Sequence, residues 1–282
     1  MEHVISPDGT PIAFDRLGEG PPLILVGGAT CDRAVTRSTA DALARSFTVL
    51  NVDRRGRGDS GDTLPFAVRR EIEDIGALIE AAGGEAIVYG HSSGAALVLR
   101  AAAHGLAMTA VILHDAPFRP DDAGMRDAAR TYGERLHELL AQDRRSDALD
   151  LFMSLTGMKQ ETIEAMRHSP GRASRERLAH TLAYDSAAMG DIEHGATIPA
   201  DLLDRVKAPV LTISGSMSPP FMIDAAIALA AGVPDGRHHR LEGQGHAADP
   251  ELLAGVIAGF AGELGASFGA SDRRAGGIRV TR

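Results

Sequence analysis

Residues 86–100 read AIVYGHSSGAALVLR, and they carry the strongest structural signal in the sequence. A short apolar run at 86–89 leads into GHSSG at 90–94, and an alanine- and leucine-rich run typical of a helix follows. The pattern predicts a buried strand, a tight turn flanked by small residues, and a helix. We expect the central Ser92 to have a strained backbone and an exposed hydroxyl. It would lie at a helix N-terminus, which favours developing negative charge.

Short continuous apolar runs recur along the chain, and a glycine or an aspartate follows each of them. Runs of this length predict strands buried on both faces, as in a parallel sheet. They lie at residues 23–26, 47–52, 86–89, 110–114 and 209–214. The stretches predicted to be helical are residues 33–45, 67–82, 93–104, 221–231 and 249–263. This alternation predicts an α/β fold with a mostly parallel, doubly wound sheet.

Further strands are predicted at both ends of this core. Residues 3–5 and 11–14 flank Asp8-Gly9, a dipeptide that favours the turn of a hairpin. A last strand is predicted at 237–241.

One region interrupts the alternation and predicts a helical insertion over one end of the sheet. It spans residues 119–204, so the α/β core comprises residues 1–118 and 205–264. The methionines of the insertion either pack its own core or form a flexible apolar lining for a pocket. The stretch 265–282 is rich in Gly, Ser and Arg without periodicity, which predicts a mobile tail.

Composition excludes several classes of function. The chain has 282 residues, 44% of them hydrophobic and 24% charged, as in soluble globular proteins of one or two domains. A net charge of −9 and the absence of tryptophan argue against nucleic acid or an anionic membrane as a partner. The single cysteine, Cys31, excludes an internal disulfide or a multi-cysteine zinc site.

The remaining expectations follow from what the sequence lacks. The N-terminus has no secretion signal, and no apolar run reaches the roughly 18 residues of a membrane span. We therefore expect a cytoplasmic monomer or homodimer that acts on a small molecule. No metal-ligand spacing appears in the sequence, and the predicted chemistry requires neither a metal nor an organic cofactor.

A reactive serine needs a base, and position selects His246 among the eleven histidines. His246 ends the glycine-rich loop 242–246, after the last predicted strand and before a helix that starts with Asp249-Pro250. A histidine on a loop at that edge of the sheet can reach over Ser92.

Together, these motifs make the chain similar to the α/β-hydrolase fold superfamily. The resemblance covers residues 3–264 and rests on Val26-Gly27-Gly28, the 53–60 stretch DRRGRGDS, the 90–94 turn and the loop ending at His246. It implies that Ser92 is the nucleophile and that the N–H groups of Gly28 and Ser93 hold the oxyanion. Val26 stands where relatives usually have histidine, which should not affect donors supplied by the backbone.

The 53–60 stretch has two interpretations. The resemblance implies a structural role, in which Asp53 and Arg54 tie loops together. Its arginines could instead bind a phosphate, although its glycines match no phosphate-loop spacing.

The acid of the triad is the harder assignment. Many relatives carry it at the position of Ser218, and serine cannot balance an imidazolium charge. Other members of the fold place the acid one strand earlier, where Asp115 follows the strand 110–114. The order Ser…Asp…His is then kept, so we predict Asp115 as the acid. Asp115 could instead cap a turn before Pro117, and Asp224 is a weaker candidate inside a helix.

The resemblance and the residues predict a serine hydrolase with the triad Ser92, His246 and Asp115. The substrate would be an ester, a lactone or a related acyl compound, cleaved through an acyl-enzyme. Two alternatives stay open. The same residues could perform a non-hydrolytic reaction, such as carbon–carbon cleavage or cyclisation, or the chain could bind a ligand without turnover.

Overall fold

The structure, a computed structural model, describes residues 1–275, with side chains described to residue 265. Its centre is an eight-stranded sheet in the order β1-β2-β4-β3-β5-β6-β7-β8. The strands are β1 (Glu2–Ile5), β2 (Pro11–Leu17), β3 (Pro22–Val26), β4 (Thr48–Val52), β5 (Ala86–His91), β6 (Met108–His114), β7 (Val210–Gly215) and β8 (Gly236–Leu241). Each predicted strand is present, so the α/β prediction is confirmed.

The direction of the strands brings their carboxyl ends to one edge. The first hairpin, β1 and β2, is antiparallel, and β2 pairs antiparallel with β4. All other pairs are parallel, with Val26 opposite Gly90 and His91 opposite His114. The loops that follow β3, β5, β6, β7 and β8 therefore leave the sheet side by side, and they contain the predicted site residues.

Alternation along the strands divides the core between the two faces of the sheet. Leu23 and Leu25 of β3 pack in a cluster with residues of α1 (Arg37–Leu43) and α12 (Pro250–Ala275). Ile24 and Val26 pack in the opposite cluster, with residues of other helices. Because both faces are covered, the strands are apolar throughout, as the sequence indicates.

The helices predicted at 67–82, 93–104 and 221–231 are present, and they pack in the same cluster as Ile24 and Val26. They are α2 (Val68–Ala82), α3 (Ser93–Ala103) and α11 (Pro220–Gly232). The predicted helix 33–45 is shorter in the structure, because residues 33–36 form turns. The last helix, α12, continues to Ala275 and so includes the first part of the predicted tail, whereas residues 276–282 lie outside the described residues.

The region between β6 and β7 is a helical insertion. Its helices are α4 (Ala123–Ala141), α5 (Arg145–Leu155), α6 (Gln160–Arg167), α7 (Arg172–Leu178), α8 (Leu182–Met189), α9 (Asp191–His194) and α10 (Ala200–Leu203). They have a core of their own, in which Met153 is buried and against which Met158 and Met166 pack. For these methionines the structure shows the packing alternative. The predicted boundaries 119–204 stay a prediction.

Across residues 1–275, none of the helices has both the length and the apolar character needed to span a membrane.

Candidate active site

Ser92 occupies the sharp turn between β5 and α3. Its φ of 55° and ψ of −127° are unusual for a residue with a side chain, as the motif predicts. Gly94 permits the turn, since a Cβ there would lie 2.5 Å from the carbonyl oxygen of Val26. The Ser92 N–H donates to the carbonyl oxygen of His114 at 2.9 Å, which ties the turn to the end of β6.

The structure brings His246 and Asp115 together although 131 residues separate them. His246 Nδ1 lies 3.1 Å from Asp115 Oδ2. A carboxylate only accepts, so Nδ1–H is the donor and Nε2 of a neutral imidazole is left free to take a proton. Asp115 is fully buried directly after β6, with a φ of 47° that aspartate tolerates better than most residues.

Ser218, at the position where relatives usually have the acid, contacts that same carboxylate. Its hydroxyl donates to Asp115 Oδ2 at 2.6 Å. Burial would raise the pKa of Asp115, but the hydrogen bonds from His246 and Ser218 outweigh it and hold the pKa below its ordinary value. Asp115 is therefore ionised at neutral pH.

The alternatives for the acid fit the geometry less well. The hydrogen bonds of the Asp115 side chain go to His246 and Ser218 rather than to a turn before Pro117. Asp224 lies exposed on α11. Among the described residues, Asp115 is the carboxylate paired with His246.

His91, the second residue of the turn, contacts the loop that carries His246. Its Nε2–H donates to the backbone carbonyl oxygen of His246 at 2.9 Å, and the ring centroids of the two histidines are 4.5 Å apart. Among residues 1–265, whose side chains the structure describes, Ser92 Oγ has no hydrogen-bond partner. Catalytic hydrogen bonds in ligand-free enzymes often form only when substrate binds, so the free hydroxyl is compatible with a nucleophile.

Two histidines behind the site, the buried His114 and the half-buried His91, are neutral. Burial lowers the pKa of His114 to about 4, and its Nδ1 lies 2.8 Å from the Tyr89 hydroxyl. Burial, together with the neighbouring His114 and His246, also lowers the pKa of His91 well below its ordinary value. Neither ring therefore carries a positive charge beside His246 at neutral pH.

The two predicted oxyanion donors lie next to Ser92. A Cβ at Gly28 would lie 2.8 Å from Ser92 Cβ, so the loop after β3 passes directly against the serine. In the described part of the chain, the N–H groups of Gly28 and Ser93 donate to no other backbone group. Both donors are therefore available to an anion.

The 53–60 stretch ties loops together. Asp53 accepts from the backbone N–H groups of Arg33, at 2.6 Å, and Asp59, at 2.9 Å. Arg54 is buried and donates to both carboxylate oxygens of Glu71 at 2.9 Å. The charge of Arg54 is therefore compensated inside the protein, which weighs against the phosphate alternative.

The described residues contain no group of three or more His, Cys, Asp or Glu side chains arranged to hold a metal ion.

The sequence did not point to every residue near Ser92. Ser218 contacts Asp115 and His91 contacts His246, although the sequence motifs assign neither residue a role in the site. Asp185, on α8, contacts Ser93 Oγ at 2.8 Å and carries no motif. For Ser218, the sequence offered one signal of a role in the site, namely that it occupies the position where many relatives carry the acid.

Comparisons with known proteins agree with this fold. The family model for the alpha/beta hydrolase fold matches residues 21–248. A crystal structure of an alpha/beta hydrolase from Sphaerobacter thermophilus is 44% identical in sequence, with a TM-score of 0.82, covering 92% of this chain and 99% of that one.

Two named relatives are more distant. A putative carbamate hydrolase, RutD, from Azorhizobium caulinodans is 24% identical over 89% of this chain and 95% of its own length. An N-formylmaleamate deformylase from Pseudomonas putida is 36% identical over 36% of this chain and 39% of its own length.

Proposed function

Since the chain belongs to the α/β-hydrolase fold family, we propose that it is a serine hydrolase acting on an ester, a lactone or a related acyl compound. The observation that carries the proposal is the hydrogen bond between His246 and the buried, ionised Asp115, beside a serine in a strained turn. Nucleophile and acid then follow the adjacent strands β5 and β6, and the base lies in the loop after β8, in the order Ser…Asp…His.

The first half of the proposed reaction forms an acyl-enzyme. Ser92 Oγ attacks the substrate carbonyl carbon while His246 Nε2 takes the hydroxyl proton. Asp115 holds the imidazole in the required tautomer and stabilises its charged form. The carbonyl oxygen becomes an oxyanion that accepts from the N–H groups of Gly28 and Ser93. When the tetrahedral intermediate collapses, His246 returns the proton to the leaving group.

The second half releases the acyl group. Water gives a proton to His246 Nε2 and its oxygen attacks the ester carbonyl of acyl-Ser92. Collapse breaks the bond to Ser92 Oγ, which recovers the proton, and the product is a carboxylic acid. The cycle involves no oxidation or reduction, and water is its only co-reactant.

A covalent probe tests the proposal without knowledge of the substrate. Intact mass is measured after incubation with a fluorophosphonate, which phosphonylates activated serines. We expect one adduct on the wild type, none on Ser92→Ala, and slow labelling of Asp115→Asn. Circular dichroism of each variant verifies that it is folded.

The same test separates the alternatives. An unlabelled, folded wild type would contradict an activated serine and favour ligand binding without turnover. If the wild type labels, turnover is measured on p-nitrophenyl acetate, a lactone, a carbamate and an N-formyl amide, the last two suggested by the names of the relatives. Labelling without hydrolysis of any of them would favour a non-hydrolytic reaction.

A further inference from the structure

Asp185 is a buried carboxylate of the helical insertion that reaches the turn holding Ser92. It lies on α8, and its Oδ1 accepts from Ser93 Oγ at 2.8 Å. Two arginines of the 53–60 stretch also donate to it. Arg54 Nη1 lies 2.6 Å from Oδ1, and Arg57 Nη2 lies 2.8 Å and 2.9 Å from the two carboxylate oxygens. Burial would raise the pKa of Asp185, but Arg57 and Arg54 lower it, so the group is ionised.

The two arginines link Asp185 to the first oxyanion donor. Arg54 Nη1 donates to the carbonyl oxygen of Gly27 at 3.3 Å, and Arg57 Nη1 donates to the carbonyl oxygen of Gly28. The Gly27 carbonyl and the Gly28 N–H belong to one planar peptide unit, so holding the oxygen fixes the direction of the N–H. A cationic donor on that oxygen also polarises the unit, which makes its N–H a stronger donor.

The second oxyanion donor is linked to Asp185 directly. The Ser93 N–H is the proposed donor, and the hydroxyl of the same residue is held by the carboxylate. One side chain of the insertion thus contacts the Ser93 donor residue and both arginines that hold the Gly28 loop.

We propose that Asp185 is a positioning residue that sets both oxyanion donors, so that the oxyanion hole is completed by the helical insertion. The proposal rests on the proposed function, because it assumes that an oxyanion forms at Gly28 and Ser93. Asp185 touches neither the substrate carbonyl nor Ser92, and it acts only through Arg54, Arg57 and Ser93.

Removing the carboxylate charge should affect the two arginines unequally. Arg54 keeps Glu71 as a partner, whereas Arg57 has no other carboxylate partner among residues 1–265, whose side chains are described. An unpaired guanidinium in a buried site moves towards water or another acceptor. We therefore expect the Gly28 carbonyl to lose its donor and the loop to relax.

The effect should fall on the transition state. The oxyanion exists there and not in the bound substrate, so kcat should fall while KM changes little. A buried ion pair that only stabilised the fold would instead lower the melting temperature and leave kcat of the folded fraction unchanged.

The 53–60 stretch offers a matched control for that structural alternative. Asp74 is also buried and accepts from Arg55 Nε and Nη2, both at 2.7 Å. Its described hydrogen bonds do not involve residues 27, 28 or 93. Asp74→Asn therefore removes an equally buried arginine partner without disturbing the proposed oxyanion donors.

The experiment compares Asp185→Asn, Ser93→Ala and Asp74→Asn with the wild type. The measurements are kcat and KM for p-nitrophenyl acetate, the rate of fluorophosphonate labelling, the affinity of a trifluoromethyl ketone, and thermal unfolding. For Asp185→Asn we expect kcat and the labelling rate to fall about 10²-fold, as for one lost oxyanion donor. The ketone, whose adduct places an oxyanion in the same site, should lose affinity in parallel with kcat/KM.

Ser93→Ala keeps both ion pairs and removes only the contact with the turn. We expect about a tenfold loss of kcat, since one hydrogen bond to a charged group is removed, and a fall in melting temperature no larger than that of Asp74→Asn. If Asp185→Asn does not fold, Ser93→Ala still tests whether the contact between Asp185 and the turn affects kcat. Asp74→Asn should lose thermal stability while its kcat stays at the wild-type value.

The outcomes are distinguishable. If the wild type is labelled and both Asp185→Asn and Ser93→Ala keep the wild-type kcat, this proposal is overturned and the proposed function stays intact. Equal kcat losses in Asp185→Asn and Asp74→Asn also overturn it, because the effect would then be structural. Folded wild type that does not label overturns the proposed function and this proposal with it.

Discussion

On the β3 and β4 side of Ser92 the buried arginines Arg54 and Arg57 are paired with carboxylates, whereas on the β6 side His91 and His114 are neutral. Arg54 and Arg57 share Asp185 on the first side. His91 and His114 lie on the second, with pKa values lowered by burial. Asp115 is the charged exception there, and its partner His246 is the residue that must change charge in the proposed reaction.

The difference in charge matches the proposed roles of the two sides, one of which holds loops in place while the other surrounds the base. Buried ion pairs are costly to form and costly to break, so they suit loops that must hold one geometry. A base must instead gain and lose a proton, and a cationic neighbour 4.5 Å away would oppose the gain. Neutral histidines fill the space around His246 without that penalty.

The largest effect is expected from removing the charge of Asp115, the buried carboxylate that pairs with His246. Asp115→Asn keeps the shape of the side chain and tolerates the positive φ, but it cannot stabilise a protonated His246. We expect kcat for p-nitrophenyl acetate to fall about 10⁴-fold. Asp224→Asn, on the exposed side of α11, is the control and should behave as wild type. A change of about twofold or less in Asp115→Asn would contradict its role as the acid.

A second prediction concerns the contact between the two sides, at Gly28. An added Cβ would lie 2.8 Å from Ser92 Cβ and 3.0 Å from the His91 carbonyl oxygen, so Gly28→Ala must displace the loop. We expect kcat to fall about 10²- to 10³-fold, as when one oxyanion donor is lost. Gly76→Ala, where the nearest atom would be 3.6 Å away, is the matched control. Unimpaired turnover in Gly28→Ala would place the oxyanion donor elsewhere.

His114 should make the free energy of unfolding depend on pH. In the unfolded chain His114 takes up a proton near its usual pKa of 6.5, whereas in the folded protein it does so only near 4. Its contribution is therefore complete above about pH 6.5 and is lost as the pH falls towards 4. At pH 5 the loss is roughly 2 kcal/mol in the free energy of unfolding.

Urea unfolding of the wild type and His114→Gln at pH 7 and pH 5 measures this loss. Removal of the titrating group should flatten the pH dependence in the variant, whatever its absolute stability. Gly76→Ala, which changes no titratable group, should keep the wild-type slope. Equal slopes in the wild type and His114→Gln would mean that folding does not lower the pKa of His114.

The smallest effect is expected from Ser218→Ala. The substitution removes the 2.6 Å hydrogen bond to Asp115 but leaves the bond to His246. We expect kcat to fall about tenfold, in line with one hydrogen bond to a charged group. Ser214→Ala, which loses a contact to His238 on the neighbouring strand, provides the control. If the two variants behave alike, Ser218 has no special relation to the acid.

The fold was predictable from the chain because its signals are local. Apolar runs of strand length, helix-like stretches between them and the glycines around Ser92 are each read within a few residues. The parts of the site that directly follow predicted strands were predictable too, since parallel strands bring their carboxyl ends to one edge of the sheet. Ser92 and Asp115 follow adjacent strands for that reason.

The sequence alone therefore determined the α/β architecture, the strained turn at Ser92 and the set of loops that could supply a base and an acid. Only the tertiary structure decided which groups meet there. His246 and Asp115 are 131 residues apart, and Asp185 lies 92 residues from Ser93. A buried charge needs a partner that is near in space, and that requirement leaves no periodic or motif signal in the chain. Ser218 contacts the acid, and Asp185 contacts both arginines, because folding brings distant loops to one edge of the sheet.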